Sequence, residues 1–165
     1  MHMKSKRSMA RRGAAGYALL EALVAVVVAS VGFVGAARMQ TAGMSLANSA
    51  QSRQKATLLG YQMTDRIRAN RTGFNAGGYD DPVAGSTSCL SSGCTPAQLA
   101  AADMGEWLAD VAALPAGTGK VCIDSSPNDG TPADPKCDGA GDVIAVKIWW
   151  TDNIDTTRFV TAIRP

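Results

Sequence analysis

The segment from Tyr17 to Ala37 constrains this chain more than any other feature. It contains 21 residues and a single charge, Glu21. A helix rises about 1.5 Å per residue, so this segment would be about 32 Å long and would cross a hydrocarbon core of roughly 30 Å. We therefore predict a transmembrane helix over residues 17–37.

Charge is distributed unevenly around this segment. Residues 1–16 contain five basic side chains and no acid, whereas the rest of the chain has 14 acidic and 11 basic side chains. Basic residues concentrate on the cytoplasmic side of a span, which predicts a cytoplasmic N-terminus and a periplasmic C-terminal part in a single-pass inner-membrane protein. The weakly acidic remainder argues against nucleic acid as a partner.

Two simple interpretations leave Glu21 unexplained. A secretory signal peptide could use Val34-Gly35-Ala36 as a weak cleavage site, and a plain membrane anchor needs no cleavage. A carboxylate within an apolar segment costs free energy, so an intramembrane acid is expected to have a function.

The run from Gly16 through Tyr17 to Glu21 resembles the class III signal of type IV prepilins, although the first mature residue is usually Phe. The resemblance implies that prepilin peptidase removes residues 1–16 and that Tyr17 becomes the methylated N-terminus. Glu21 would then act in filament assembly. The carboxylate of an entering subunit would pair with the new α-amine of its neighbour, because that attraction is large in a low-dielectric medium.

The helix is expected to continue beyond the membrane. No proline occurs before Pro82, and Ala56, Leu59, Met63 and Ile67 form a narrow apolar stripe. We predict one helix over residues 17–72, stopped at Gly73. It would be roughly 84 Å long, which suits a subunit that stacks its helix in a filament. The small and polar stretch 40–55 should face neighbours or solvent.

Residues 73–165 are expected to form a periplasmic head. Thr95-Pro96-Ala97-Gln98 predicts the start of a helix that ends near Ala113, with Trp107 in the core. Alternating apolar residues predict strands, which are Val121–Ile123, Val143–Thr151 and, after a turn at Asp152–Thr157, Arg158–Arg164. A long helix followed by a small antiparallel sheet is an α+β architecture.

The four cysteines lie in the predicted head and indicate two disulfides in an oxidising compartment. Three pairings are possible, and we predict the local one because each pair then closes a Gly- and Pro-rich loop. The predicted pairs are Cys89–Cys94 and Cys122–Cys137.

Metal binding and catalysis are not expected. The cysteine spacing and the lack of histidine after His2 do not fit zinc. Residues 124–130 place Gly130 one position too late for a calcium loop, so we expect a solvated loop there. The serines have no general base, and we predict a non-enzyme without cofactor or metal.

Three further segments resemble the type IV pilus modification protein family, PilV. They are 54–71 at the helix end, 102–107 before Leu114-Pro115, and 146–152 in the strand region. Many major pilins have Pro where this chain has Arg38. The resemblance implies a pilin fold and a minor subunit that initiates or modifies pili. Its expected partners are other major and minor pilins, prepilin peptidase, the inner-membrane assembly platform and membrane lipid. A pseudopilin of type II secretion and a membrane-tethered periplasmic binding module remain alternatives.

Overall fold

The computed structural model describes residues 14–85, 89 and 93–164. Residues 1–13 of the predicted leader lie outside this range. The predicted α+β class is confirmed. In chain order the elements are α1 (Ala14–Ala69), α2 (Arg71–Asn75), α3 (Pro96–Ala112), β1 (Thr118–Ile123), β2 (Ile144–Asp152) and β3 (Asp155–Ile163).

The chain divides into two compact units between Met44 and Ser45. The described residues of the first unit form the N-terminal part of α1, and every residue from 16 to 44 is exposed. Its most apolar window has a mean hydropathy of 2.3, and none of that window is buried. Among the described residues, α1 is the one helix that is long and apolar enough to span a membrane.

The second unit contains an antiparallel sheet in the order β1-β2-β3. β1 and β3 are longer than predicted, because pairing starts at Thr118 in β1 and at Asp155 in β3, whereas β2 has the predicted length and is shifted by one residue. The predicted turn Asp152–Thr157 shortens to Asn153 and Ile154. Asn153 has a φ of 59°, a left-handed conformation that asparagine tolerates better than most residues.

The core of the second unit lies between one face of the sheet, here called the first face, and the helices α1 and α3. The predicted stripe on α1 is confirmed, since Ala56, Leu59, Met63 and Ile67 are at most 4% exposed. Trp107 of α3 is 1% exposed, and its indole N–H donates to the carbonyl of Leu59 at 2.9 Å. The same core contains Met104, Val111, Leu114, Val121, Ile144, Val146, Ile148, Trp150 and Ile163.

Two glycines allow aromatic rings of the second unit to pack directly against its backbone. A Cβ atom at Gly119 of β1 would lie 2.5 Å from the ring of Trp107, and one at Gly60 of α1 would lie 2.4 Å from the ring of Phe159. Neither position has room for a side chain unless its aromatic neighbour moves. The sequence therefore needs glycine in both places for packing.

The prediction that α1 continues to Thr72 and stops at Gly73 is wrong. The helix ends at Ala69 because Asn70 leaves the helical conformation, with φ −102° and ψ 58°, and caps α2. Its side-chain oxygen accepts the N–H of Gly73 at 3.1 Å. Gly73 is buried inside α2, where a Cβ atom would lie 2.4 Å from Asn70 Nδ2. An asparagine cap, and not the expected glycine stop, ends the helix.

The second face of the sheet is covered by the loop between β1 and β2, residues 124–143. Ala145, Lys147 and Trp149 alternate with the core residues of β2, and all three are buried. Arg158 of β3 donates to the carbonyls of Asn128 at 2.6 Å and Gly130 at 3.2 Å. The second unit thus has a helical layer, a sheet layer and a loop layer.

Candidate functional site

The predicted N-terminal residues lie in the first described turns of α1. Gly16, Tyr17 and Glu21 are all exposed, and Tyr17 is 77% exposed. Tyr17 and Glu21 are four residues apart, so they lie on the same helix face. Among the described residues of the first unit, nothing covers this face.

Large apolar side chains are exposed on every side of this part of the helix. They are Leu19, Leu20, Leu23, Val24, Val26, Val27, Val28, Val31, Phe33 and Val34, each at least half exposed. An apolar surface of this extent needs lipid or other protein to cover it.

Both predicted disulfides are present in the second unit. Cys89 and Cys94 have Cα atoms 5.1 Å apart, and Cys122 and Cys137 have Cα atoms 6.0 Å apart. The second bond closes most of the loop that covers the sheet. Cys122 itself is fully buried on β1.

Lys147 anchors this loop from the middle of β2. Its ammonium contacts the carboxylate of Asp124, and neither side chain has any exposed surface. It also donates to Asp129 Oδ1 at 3.0 Å and to the carbonyl of Pro135 at 2.8 Å. The hydrogen bond from Lys147 lowers the pKa of Asp129 below its ordinary value of 3.8. The carbonyl of Asp129 accepts from Lys147 as well, at 3.3 Å. The lysine is therefore surrounded by two carboxylates and two carbonyls, all from one loop.

The expectation of a solvated loop at 124–130 is wrong for Asp124. This residue is 0% exposed, and its other carboxylate oxygen accepts the N–H of Ser126 at 2.9 Å. The physical reason is that Lys147 lies in a buried strand, where an unpaired ammonium would be very costly. The loop folds inward to supply the matching charge.

The tip of the β2–β3 hairpin bonds to α1 within the second unit. Asp152 accepts hydrogen bonds from the hydroxyl of Ser49 and, at 3.2 Å, from the guanidinium of Arg53. Ser45 donates to the side chain of Asn153 at 3.2 Å. The bond from Ser49, followed by that from Arg53, lowers the pKa of Asp152. Part of the stretch 40–55, which was expected to face neighbours or solvent, therefore binds the hairpin instead.

A polar network joins the end of α1 to α3. The hydroxyl of Tyr79 donates to Asp103 at 2.6 Å and accepts from Asn70 at 3.1 Å. Arg66 binds Asp103 at 3.2 Å and Glu106 at 2.8 Å. Burial, followed by the bond to Asp103, raises the pKa of Tyr79. These groups satisfy one another, as buried polar groups must, and they fix the loop that leaves α2.

The surface cavities of the second unit are shallow. One of about 420 Å³ is lined by Phe74, Ile123 and Ile144 and by the ion pair between Asp142 and Arg164. Within residues 14–85, 89 and 93–164, no group of three or more His, Cys, Asp or Glu side chains could hold a metal ion.

Comparisons with protein-family models, with curated proteins and with solved structures found no match to this chain.

The two disulfides predicted from the sequence are confirmed, the roles of Gly16, Tyr17 and Glu21 stay predictions, and the Lys147 cluster was missed. One signal was available, because Lys147 is the single charge in the run Val143–Trp150. A lysine in so apolar a strand requires a buried acid. No comparable signal identified Ser49 or Tyr79, whose partners are distant in the sequence.

Proposed function

We propose that this chain is a minor subunit of a type IV pilus, a structural and non-catalytic protein that takes part in pilus assembly, initiation or modification. The observation that carries the proposal is a single carboxylate in the exposed apolar helix of the first unit. Glu21 is the one charge in residues 17–37, the exposed apolar part of the helix, and it lies five positions after Gly16, the last residue of the basic leader. A plain anchor does not require that carboxylate.

In this proposal the first unit has two successive environments. Lipid covers its apolar side chains while the subunit waits in the inner membrane with the head in the periplasm. The helices of other pilins cover them after insertion. Removal of the leader by prepilin peptidase exposes the α-amine of Tyr17, which can pair with Glu21 of a neighbouring subunit. An unpaired carboxylate in that setting is costly, so pairing supplies both a driving force and a register.

The second unit supports the proposal through its architecture. A sheet packed on the last part of a long helix, with a disulfide-closed loop outside, suits a head carried on a filament core. The two disulfides also suit an oxidising compartment. A pseudopilin would share Gly16, Tyr17 and Glu21, and the identity of the co-purifying subunits would separate the two filament types.

Peptide mass mapping of the protein extracted from membranes tests the processing step. The expected N-terminus is Tyr17, carrying a methyl group. An N-terminus at Ala37 or Arg38 would identify an ordinary signal peptide, and an intact leader would indicate a plain anchor. Either result would contradict the proposal.

A further inference from the structure

The cluster around Lys147 contains the parts of an amide-forming site. An amine, an acceptor carboxylate and a second carboxylate meet between β2 and the loop that covers it. Lys147 contacts Asp124, and both side chains are 0% exposed. Asp129 lies 3.0 Å from the same nitrogen, and its side chain is 45% exposed.

We propose that Lys147 and Asp124 are joined in the mature protein by a side-chain amide, which forms without an enzyme and with Asp129 as the proton carrier. The bond would link β2 covalently to the start of the covering loop. It is independent of the proposed filament role, because no residue of the first unit takes part.

The reaction balances without a co-reactant. The ammonium of Lys147 gives one proton to the carboxylate of Asp124, which yields an amine and a carboxylic acid. The amine nitrogen then attacks the carboxyl carbon of Asp124. Asp129 accepts a second proton from that nitrogen and passes it to the departing hydroxyl, which leaves as water. A C–N bond forms, a C–O bond breaks, and Asp129 ends as a carboxylate.

Two physical effects favour this step. The groups are held in contact by the fold, so the reaction is intramolecular and gains the advantage of a fixed geometry. Condensation also replaces two fully buried ions by one neutral amide, which removes the cost of keeping both charges out of water. The hydrogen left on the nitrogen has an acceptor in place, the carbonyl of Pro135 at 2.8 Å.

The position of Asp129 fits its proposed part. Its Oδ1 lies 3.0 Å from the Lys147 nitrogen, so it is within reach of the proton that this nitrogen must release. Its partial exposure gives the released water a path to solvent. Asp134, in the same loop, instead pairs with Lys136, and no contact joins it to Lys147.

The test is mass spectrometry of the full chain, extracted from membranes, reduced and alkylated. The expected intact mass is lower by one water, about 18 Da, than the mass of the alkylated chain without the amide. Trypsin should leave Lys147 uncut and release Val121–Lys136 joined to Cys137–Arg158. Three separate peptides, Val121–Lys136, Cys137–Lys147 and Ile148–Arg158, together with an unchanged mass would overturn the proposal. Loss of water within Val121–Lys136 alone would overturn it too, since that marks a cyclic imide.

Variants separate the roles of the three residues. Lys147→Arg keeps the charge and should abolish the joined peptides. Asp129→Asn should reduce their yield at least about tenfold, a loss typical of removing an acid-base group. The matched variant Asp134→Asn should form them as the wild type does. Full yield in Asp129→Asn would overturn the proton-carrier role.

Discussion

Trp107 and Trp150 are both buried, but they differ in what their indole N–H groups contact. The N–H of Trp107 donates to the carbonyl of Leu59. Within the described part of the chain, the N–H of Trp150 has no hydrogen-bond partner. An unpaired buried donor costs free energy that a paired one does not.

Trp107→Phe should lower the free energy of unfolding by about 2 kcal/mol more than Trp150→Phe, because one change breaks a hydrogen bond and the other removes an unpaired donor. Both lose a similar ring volume, so each controls for the other. Urea unfolding of the full chain in detergent, followed by pulse proteolysis, measures the difference. Equal losses would contradict the assignment of the two indoles.

Single residues also show which features could be predicted from the sequence. The stripe of Ala56, Leu59, Met63 and Ile67 was predictable, because helical spacing alone places these residues on one face. The end of α1 was not, because Asn70 and Gly73 are both good helix terminators and tertiary contacts decide between them. Asn70 caps α2 while its amide reaches Tyr79 and the carbonyl of Pro96.

Among the elements, the β2–β3 hairpin is fastened to α1 by a carboxylate. The folded-state pKa of Asp152 is depressed by Ser49 and Arg53. Its contribution to stability is therefore complete above the ordinary Asp value of 3.8 and is lost as the pH falls through the lower, folded value. The contact between the hairpin and α1 should therefore weaken in acid.

We predict that Asp152→Asn flattens the pH dependence of the unfolding midpoint in this acidic range. It should also lower the midpoint at neutral pH, because the charged bond to Arg53 is gone. Urea titrations from neutral pH to below 3.8 measure the slope. Asp155→Asn, at the other side of the same turn, is the control. An unchanged slope in Asp152→Asn would contradict the fastening role.

The covering loop is the second element with a direct test. Non-reducing tryptic mapping should recover Thr72–Lys120 as a separate peptide, because Cys89 and Cys94 are bonded to each other within it. Val121–Lys136 should be joined to the peptide that begins at Cys137. Recovery of Thr72–Lys120 bound to either of the other two would refute the local pairing.

The covering loop could be predicted from the sequence, but its packing against the sheet could not. Local spacing predicted the disulfide that closes the loop. The inward turn of Asp124 depends on Lys147, which lies in a different strand, and no periodicity connects the two. The alternation of β2 was predicted correctly, but alternation does not reveal what covers the second face of a sheet.

For the whole molecule, the division into two units is the main fact that function must explain. One unit exposes a helix that is apolar on every side, and the other buries an ordinary core with its own polar networks. A free periplasmic protein would not keep the first unit in water. A filament subunit requires it, first in the membrane and then among neighbouring helices.

The amount of the protein in sheared surface filaments, wild type against Glu21→Ala, tests this account most directly. We predict that the wild type is recovered with other pilins. Glu21→Ala should be inserted and cleaved normally but depleted roughly tenfold or more, because an uncompensated α-amine would remain in a low-dielectric environment. Asp110→Ala, which removes an exposed acid of α3, should be recovered as the wild type is. Absence of the wild type from the filaments, or undiminished recovery of Glu21→Ala, would contradict the account.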